Sequence, residues 1–249
     1  MEAYEPDRSL KGKLRRRLVR LARRRPARRA AGGPMVSFSF DDAPLSAAIA
    51  GAEILGRHGV HGTYYLSAGL AGQDSPMGPI LEADDARRLA AAGHEIACHT
   101  HSHLDCGQAD GAVAEVDVAL NGEALTAWSG AAPTTFAYPY GDVSGPTKRA
   151  LSPRFGLLRA LHHGLIEPGA DLNQAPAVGI EGADGEAVAR RWLRTAIRRK
   201  AWLILYTHDV AEAPSPWGCT PQALERLVAD ALRAGCSIVT VAEGARRVG

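Results

Sequence analysis

The sequence predicts one α/β barrel preceded by a basic segment, and three observations lead there. Strand-like runs alternate with helix-like runs along the chain after residue 34, which implies parallel strand pairing. A length of 249 residues is long for an ordinary domain but normal for a single barrel, and it can bury a large core. Seven or eight strand-then-helix units close more naturally into a barrel than into an open sheet. Residues 1–33 are therefore set apart as a basic segment and 34–249 as the folded domain.

The elements follow in order. After the breaker-rich "AAGGP" (30–34), "MVSFSF" (35–40) is a β-branched and aromatic strand that stops at Asp41-Asp42. "SAAIAGAEILGRHG" (46–59) carries apolar residues at helical spacing with a glycine stop, and "GTYYLS" (62–67) is the second strand. "DDARRLAAAG" is a helix, "HEIAC" a strand, 110–128 a long helix, "TTFAYP" a strand and 146–151 a short helix. Strands "FGLLRAL" and "AVGI", a helix over 185–199, strand "AWLILYT", a helix over 221–234 and strand "SIVTV" complete the chain. The last of these helices is the best formed. Thr220 caps it, Pro221 suits its first turn, Leu224, Leu227, Val228, Ala231 and Leu232 form the apolar stripe, and Gly235 ends it.

Composition narrows the class. Apolar residues at 46% and charged residues at 22% are those of a globular protein, and no run approaches the roughly 18 apolar residues needed to span a bilayer. Residues 1–30 hold 12 basic against 3 acidic residues, while the remainder holds 17 basic against 24 acidic. Within the basic segment Leu10, Leu14, Leu18 and Leu21 fall on one face of a helix otherwise coated in arginine. Such a helix suits an anionic membrane surface, with nucleic acid the weaker partner and a silent solvated segment the plain alternative. No apolar stretch of the kind a secretory signal needs follows it, so a cytoplasmic protein resting on the inner membrane face is expected. Cys98, Cys106, Cys219 and Cys236 show no CxxC pair and are read as free thiols.

Catalytic groups in parallel barrels sit just past the C-terminal ends of strands. The strand ends here carry Asp41-Asp42, then His99, His101 and His103, then "YPYG" (138–141), then His208-Asp209. A divalent metal that activates water needs neutral imidazole and carboxylate ligands with a position left open. Two histidines four apart share one side of a helical turn, so His99 and His103 can point together while His101 points elsewhere, toward the outer wall or solvent. With one aspartate they make an Asp-His-His set. Adjacent carboxylates diverge, so one of Asp41 and Asp42 can ligate while the other acts as a base; the plain alternative for "DDAP" is a helix N-cap. His58, His61, His94, His162 and His163 are read as structural or surface groups.

"SFDDAP", "GHEIACHTHSH", "FAYPYG" and "LILYTHDV", in this order over 37–210, resemble the motifs of the NodB-homology polysaccharide deacetylases, metal-dependent carbohydrate esterases. The resemblance implies a distorted (β/α) barrel of seven parallel strands. It makes Asp41 the catalytic base, Asp42, His99 and His103 the ligands of a divalent metal, zinc before cobalt, nickel or iron, and His208 the general acid. The backbone N–H of Tyr140 would bind the oxyanion. The implied reaction is hydrolysis of an N-acetyl group from an amino sugar in a polysaccharide, oligosaccharide or lipid-linked precursor.

Two positions depart from the family pattern. Ala137 stands where an arginine orients the base, and Arg159, at the end of "FGLLRA", is a substitute cation from a neighbouring strand. The Asp-Trp fourth motif that tunes the acid is not visible. Tyr206 replaces a leucine two residues before His208, which implies a reshaped acyl pocket. A hydrolase acting on a small cyclic amide and a catalytically inactive carbohydrate-binding relative are the competing readings. The sequence identifies neither the sugar nor the oligomeric state.

Overall fold

The computed structural model describes residues 10–249. In chain order these form α1 (Leu10–Leu21), β1 (Met35–Asp41), a π-helical turn (Ala47–Gly51) running into α2 (Ala52–Arg57), β2 (Thr63–Leu66), and a small hairpin of β3 (Asp74–Ser75) and β4 (Gly78–Pro79). Then come α3 (Ala83–Ala91), β5 (Glu95–Cys98), α4 (Gly111–Ser129), β6 (Thr135–Ala137), α5 (Gly145–Leu151), β7 (Leu157–Arg159) and β8 (Val178–Gly179). The chain finishes with α6 (Gly185–Arg199), β9 (Trp202–Thr207), α7 (Pro221–Arg233), β10 (Ser237–Ile238) and α8 (Val241–Val248).

Seven parallel strands in the order β7-β6-β5-β2-β1-β9-β8 curl into a distorted half-barrel. The short β10 adds beside the start of β1, pairing Met35 with Ser237 and Val36 with Ile238. The two edge strands are tied through the segment entering β8. Leu158 N–H donates to Leu172 O and Ala175 N–H to Leu158 O, each at 2.8 Å.

Every long strand is buried on both faces, as parallel strands covered by helices must be. On β1, Val36, Phe38 and Phe40 pack in the layer shared with Leu55, Leu224 and Leu227 of the surrounding helices. The alternate residues Ser37, Ser39 and Asp41 face the barrel interior and are also buried. On β9 the same period sends Leu203 and Leu205 outward, and Trp202, Ile204 and Tyr206 inward. Polar groups on the inner face must find partners. Trp202 Nε1–H donates to Ser37 Oγ at 3.0 Å, and Ser39 Oγ to Leu205 O at 3.0 Å.

The floor of the barrel is closed by α8, which the sequence reading missed in favour of a longer strand over "SIVTV". Thr240 caps the Glu243 N–H, and the Glu243 side chain accepts from the Thr240 N–H at 3.0 Å. This reciprocal box starts a helix two residues after the strand and overrides the β-branched run before it. Gly244 lies so close to the Trp202 ring that a Cβ there would sit 2.3 Å from it, so glycine is required for α8 to dock.

The segment between α1 and β1 is strapped to the barrel. Arg25 N–H donates to Asp171 Oδ1 at 2.8 Å, Arg25 Nη2 reaches the Phe155 and Gly156 carbonyls, and Ala27 is buried. Val19 packs into the core, whereas Leu18 and Leu21, two members of the expected apolar face, point outward at 57% and 69% exposure. The side chains of Leu10 and Leu14 lie outside the described residues. No helix among the described residues is long and apolar enough to cross a membrane. All four cysteines are free and buried.

Candidate active site

The C-terminal strand ends bring the chemistry-bearing residues together. Asp41, the last residue of β1, continues the inward face of that strand and is buried. Asp42 and Ala43 then adopt left-handed backbone, φ 56 and 42, which turns the chain sharply and sends the second carboxylate toward a different neighbour. Left-handed non-glycine residues cost energy and collect where function over-determines the backbone. Neither aspartate caps the following helix.

Asp42 Oδ1 lies 3.5 Å from His99 Nε2 and 3.2 Å from His103 Nε2. One ligand atom from each of the three residues falls within 4.8 Å of the others. The two histidines meet through a loop rather than the helical turn expected from their spacing. β5 ends at Cys98, and Thr100 and His103 both take left-handed φ, 64 and 55, folding His103 back toward His99. Asp117 of α4 pins this loop by accepting from the His101 N–H at 2.5 Å and from Ser102 Oγ at 2.6 Å.

Each of these two imidazoles is held by its far nitrogen. His99 Nδ1–H donates to Ala137 O at 2.8 Å, which leaves Nε2 as the lone-pair atom facing Asp42. His103 Nδ1 faces the Tyr140 hydroxyl at 3.2 Å. Burial pushes the His99 imidazole down to about 4 despite the opposing pull of Asp42, so it is neutral at neutral pH. Asp42 Oδ1 is buried without a hydrogen-bond partner among the described residues. A cation would satisfy it, and one carboxylate oxygen with two imidazole nitrogens is a donor set suited to zinc, cobalt, nickel or iron.

His101 stays outside this set. It is half-buried, with its ring against Gly69, and does not point into open solvent. His58, His61, His94, His162 and His163 are also apart from this group. His94 Nδ1, for example, accepts the Gly62 N–H at 3.0 Å, and burial pushes that imidazole down to about 4.

Arg159, at the end of β7, is fully buried and donates from Nη2 to Asp41 Oδ1 at 2.5 Å. Ala137 is buried on neighbouring β6 with no side chain to offer, so the cation reaches Asp41 from one strand further along. The Arg159 guanidinium is sandwiched between the rings of Tyr65 at 4.9 Å and Tyr206 at 5.2 Å, faces that stabilise a buried cation. Burial pushes the Asp41 carboxyl up, but the charge and hydrogen bond of the Arg159 guanidinium pull it below its ordinary value. Asp41 is therefore ionised.

His208 follows β9, with its side chain 15% exposed against 4% for Asp41, so it is the more accessible of the two. Its Nδ1 faces Trp217 O at 3.2 Å and Glu181 Oε2 at 4.0 Å. Tyr206 Oη donates to Glu181 Oε1 at 2.8 Å, linking the carboxylate beside His208 to the ring beside Arg159. Glu181 was missed in the sequence, although it immediately follows "AVGI" and the strand-end rule pointed to it. Trp217 is placed by a loop that the buried Asp209 organises, accepting from Ser215 N–H at 2.8 Å and Ser215 Oγ at 2.5 Å. A Cβ on Gly218 would lie 2.3 Å from Asp209 Oδ1, so only glycine fits this turn. Tyr140 is left-handed at φ 58, in the turn after β6.

No curated protein sequence matches the chain at a significant level. Among solved structures it is similar to a family 4 acetyl xylan esterase from Clostridium thermocellum in complex with a cobalt ion. That match has TM-score 0.58 and 18% identity, over 84% of this chain and 89% of that one. It is also similar to the Bc1960 peptidoglycan N-acetylglucosamine deacetylase, with TM-score 0.61 and 18% identity over 88% and 90%. A CE4 family pseudoenzyme from Bacillus anthracis matches with TM-score 0.58 and 14% identity over 86% and 66%. These likenesses show the fold. The polysaccharide deacetylase family model matches residues 28–156, which include both aspartates, both ligand histidines and Tyr140, and the chain belongs to that family.

Proposed function

We propose that the chain is a metal-dependent hydrolase that removes N-acetyl groups from an amino-sugar-containing carbohydrate and releases acetate. The observation that carries this reading is one barrel rim holding two unlike carboxylates side by side. Asp42 is grouped with two imidazoles, while Asp41 is kept ionised by a buried arginine. A divalent ion, zinc in this reading, would polarise the acyl carbonyl and make water a nucleophile at neutral pH.

The chain's own residues supply the rest. Asp41 accepts a proton from the attacking water as the C–O bond forms, and Arg159 fixes the carboxylate in position. The Tyr140 backbone N–H stabilises the charge that builds on the acyl oxygen. His208 protonates the sugar nitrogen as the C–N bond breaks, with Trp217 O and Glu181 orienting its ring. A binding module needs neither the arginine-held base nor the oriented histidine. That supports a hydrolase over an inactive relative.

The test is acetate release by protein loaded with zinc or cobalt. Oligomers of N-acetylglucosamine, acetylated xylan and a small cyclic amide are offered in parallel. Release from the amino sugar is expected. Metal-loaded protein that releases no acetate from it, or that turns over only the ester or the cyclic amide, overturns the reading.

A further inference from the structure

The helix α1 is attached to the rim of the candidate site. Arg15 Nη2 pairs with Asp142 at 2.8 Å and its Nη1 donates to Gly107 O at 2.5 Å. Asp142 lies two residues past Tyr140, and Gly107 four past His103, so α1 is fastened to the two loops that carry these residues. Lys148, fully buried, donates to Val19 O near the helix C-terminus at 3.0 Å and pairs with Asp171 at 2.8 Å. Among the described residues, this internal tether leaves the opposite side of the helix at Leu18 and Leu21 uncovered.

That side is apolar and strongly basic at once. Leu18 and Leu21 are exposed one turn apart, beside exposed Arg17 and Arg20. No acidic residue stands between Asp7 and Asp41 in the sequence, so α1 carries no carboxylate of its own. Arginine alone would suit nucleic acid. Two leucines presented outward among the arginines suit an interface that takes up hydrocarbon and attracts cations, which is the surface of an anionic bilayer.

We propose that the outer face of α1 docks the protein on an anionic lipid bilayer and so holds the site rim at the head-group level. Resting on the deacetylase reading above, this makes the substrate class an N-acetylated sugar carried on a lipid. It is distinct from a fold-wide affinity for charge, because the leucines and arginines belong to the one helix that is bolted to the site loops.

The experiment is co-sedimentation of the full chain with vesicles of phosphatidylcholine alone or phosphatidylcholine mixed with phosphatidylglycerol. Acetate release is then compared between a vesicle-borne N-acetylglucosaminyl lipid and a soluble oligomer. The wild type should pellet with the mixed vesicles only, and L18E/L21E should lower that partition about tenfold while its thermal unfolding is unchanged. R17E/R20E serves as a second variant should the first fail to fold. The double variant should slow release from the vesicle-borne sugar and spare the soluble one. No pelleting with anionic vesicles, equal pelleting of the variants, or retention by duplex DNA in place of vesicles overturns the docking. Docking with hydrolysis of the soluble sugar alone overturns the substrate class. Docking with no hydrolysis of either sugar defeats the deacetylase reading and leaves the docking intact.

Discussion

The rim and the floor of the barrel each hold a carboxylate shielded from solvent, and they are finished in opposite ways. At the floor, the Glu95 carboxylate accepts from Thr63 Oγ1 at 2.8 Å, from the Thr135 hydroxyl, and from Ala242 N–H at 2.8 Å. It fastens the first turn of α8 to two strands. At the rim, Asp42 Oδ1 has no hydrogen-bond donor among the described residues and faces the Nε2 atoms of two imidazoles. Burial is common to both, so burial is not what marks a site. What separates them is whether the chain has completed the group or left it for something else to complete.

The largest expected effect comes from removing the incomplete set. His99→Ala or His103→Ala should lower metal affinity by about 100-fold or more, read by metal analysis after dialysis and by titration calorimetry, and activity should fall with it. Unchanged metal content would remove the distinction between rim and floor. Next is the neighbouring pair: Arg159→Ala should reduce turnover about 100-fold while metal stays bound, with Arg159→Lys recovering part of the loss. Near-normal turnover in Arg159→Ala would dismiss it as the base's partner.

A smaller loss, about tenfold in turnover, is expected for Glu181→Gln, whose carboxylate lies 4.0 Å from His208 Nδ1 and outside the Asp42-His99-His103 group. Metal content should again be unchanged.

The floor should respond in stability rather than activity. Glu95→Ala leaves two hydroxyls and one N–H without their acceptor and should cost about 2 kcal/mol, measured by denaturant unfolding. Burial pushes the Glu95 carboxyl above its ordinary 4.5 despite those hydrogen bonds. Its contribution is therefore most favourable below that value and is lost as pH rises through the raised one. Glu95→Gln should flatten the fall in stability across that window. His101→Ala should have the least effect of all, with metal content retained, since its ring lies against Gly69 and outside the ligand group.

Much of this was written plainly in the sequence. Runs such as "MVSFSF" and "AWLILYT" have the β-branched and aromatic character of buried parallel strands, and the groups just beyond them form the rim. The pairing of His99 with His103 was legible from their spacing, but its cause was not. The left-handed Thr100 and His103 that bring the rings together have no signature in residue type, because neither is glycine or asparagine. Arg159 could be nominated because the family resemblance places an arginine where this chain has Ala137, but its tyrosine sandwich depends on strand order, which a linear sequence does not carry. Glu181 was hidden by its short strand, only two residues long, which gives periodicity little to work with. The start of α8 was in plain view as Thr240-x-x-Glu243, and the β-branched residues before it obscured it.

The central position of β1 also constrains how the chain can assemble. This strand precedes nearly all of the sheet in sequence, yet one of its two long flanks is β9, and its Ser37 waits for a Trp202 that lies 165 residues later. Until that partner arrives, one whole edge of β1, with Phe38 and Phe40 beside it, is open to pairing with any other chain. Such long-range pairing makes folding slow. The price of placing two adjacent aspartates at the middle of the sheet is thus an early strand that must be shielded until late, and expression at high concentration should aggregate through that edge before any defect appears at the finished site.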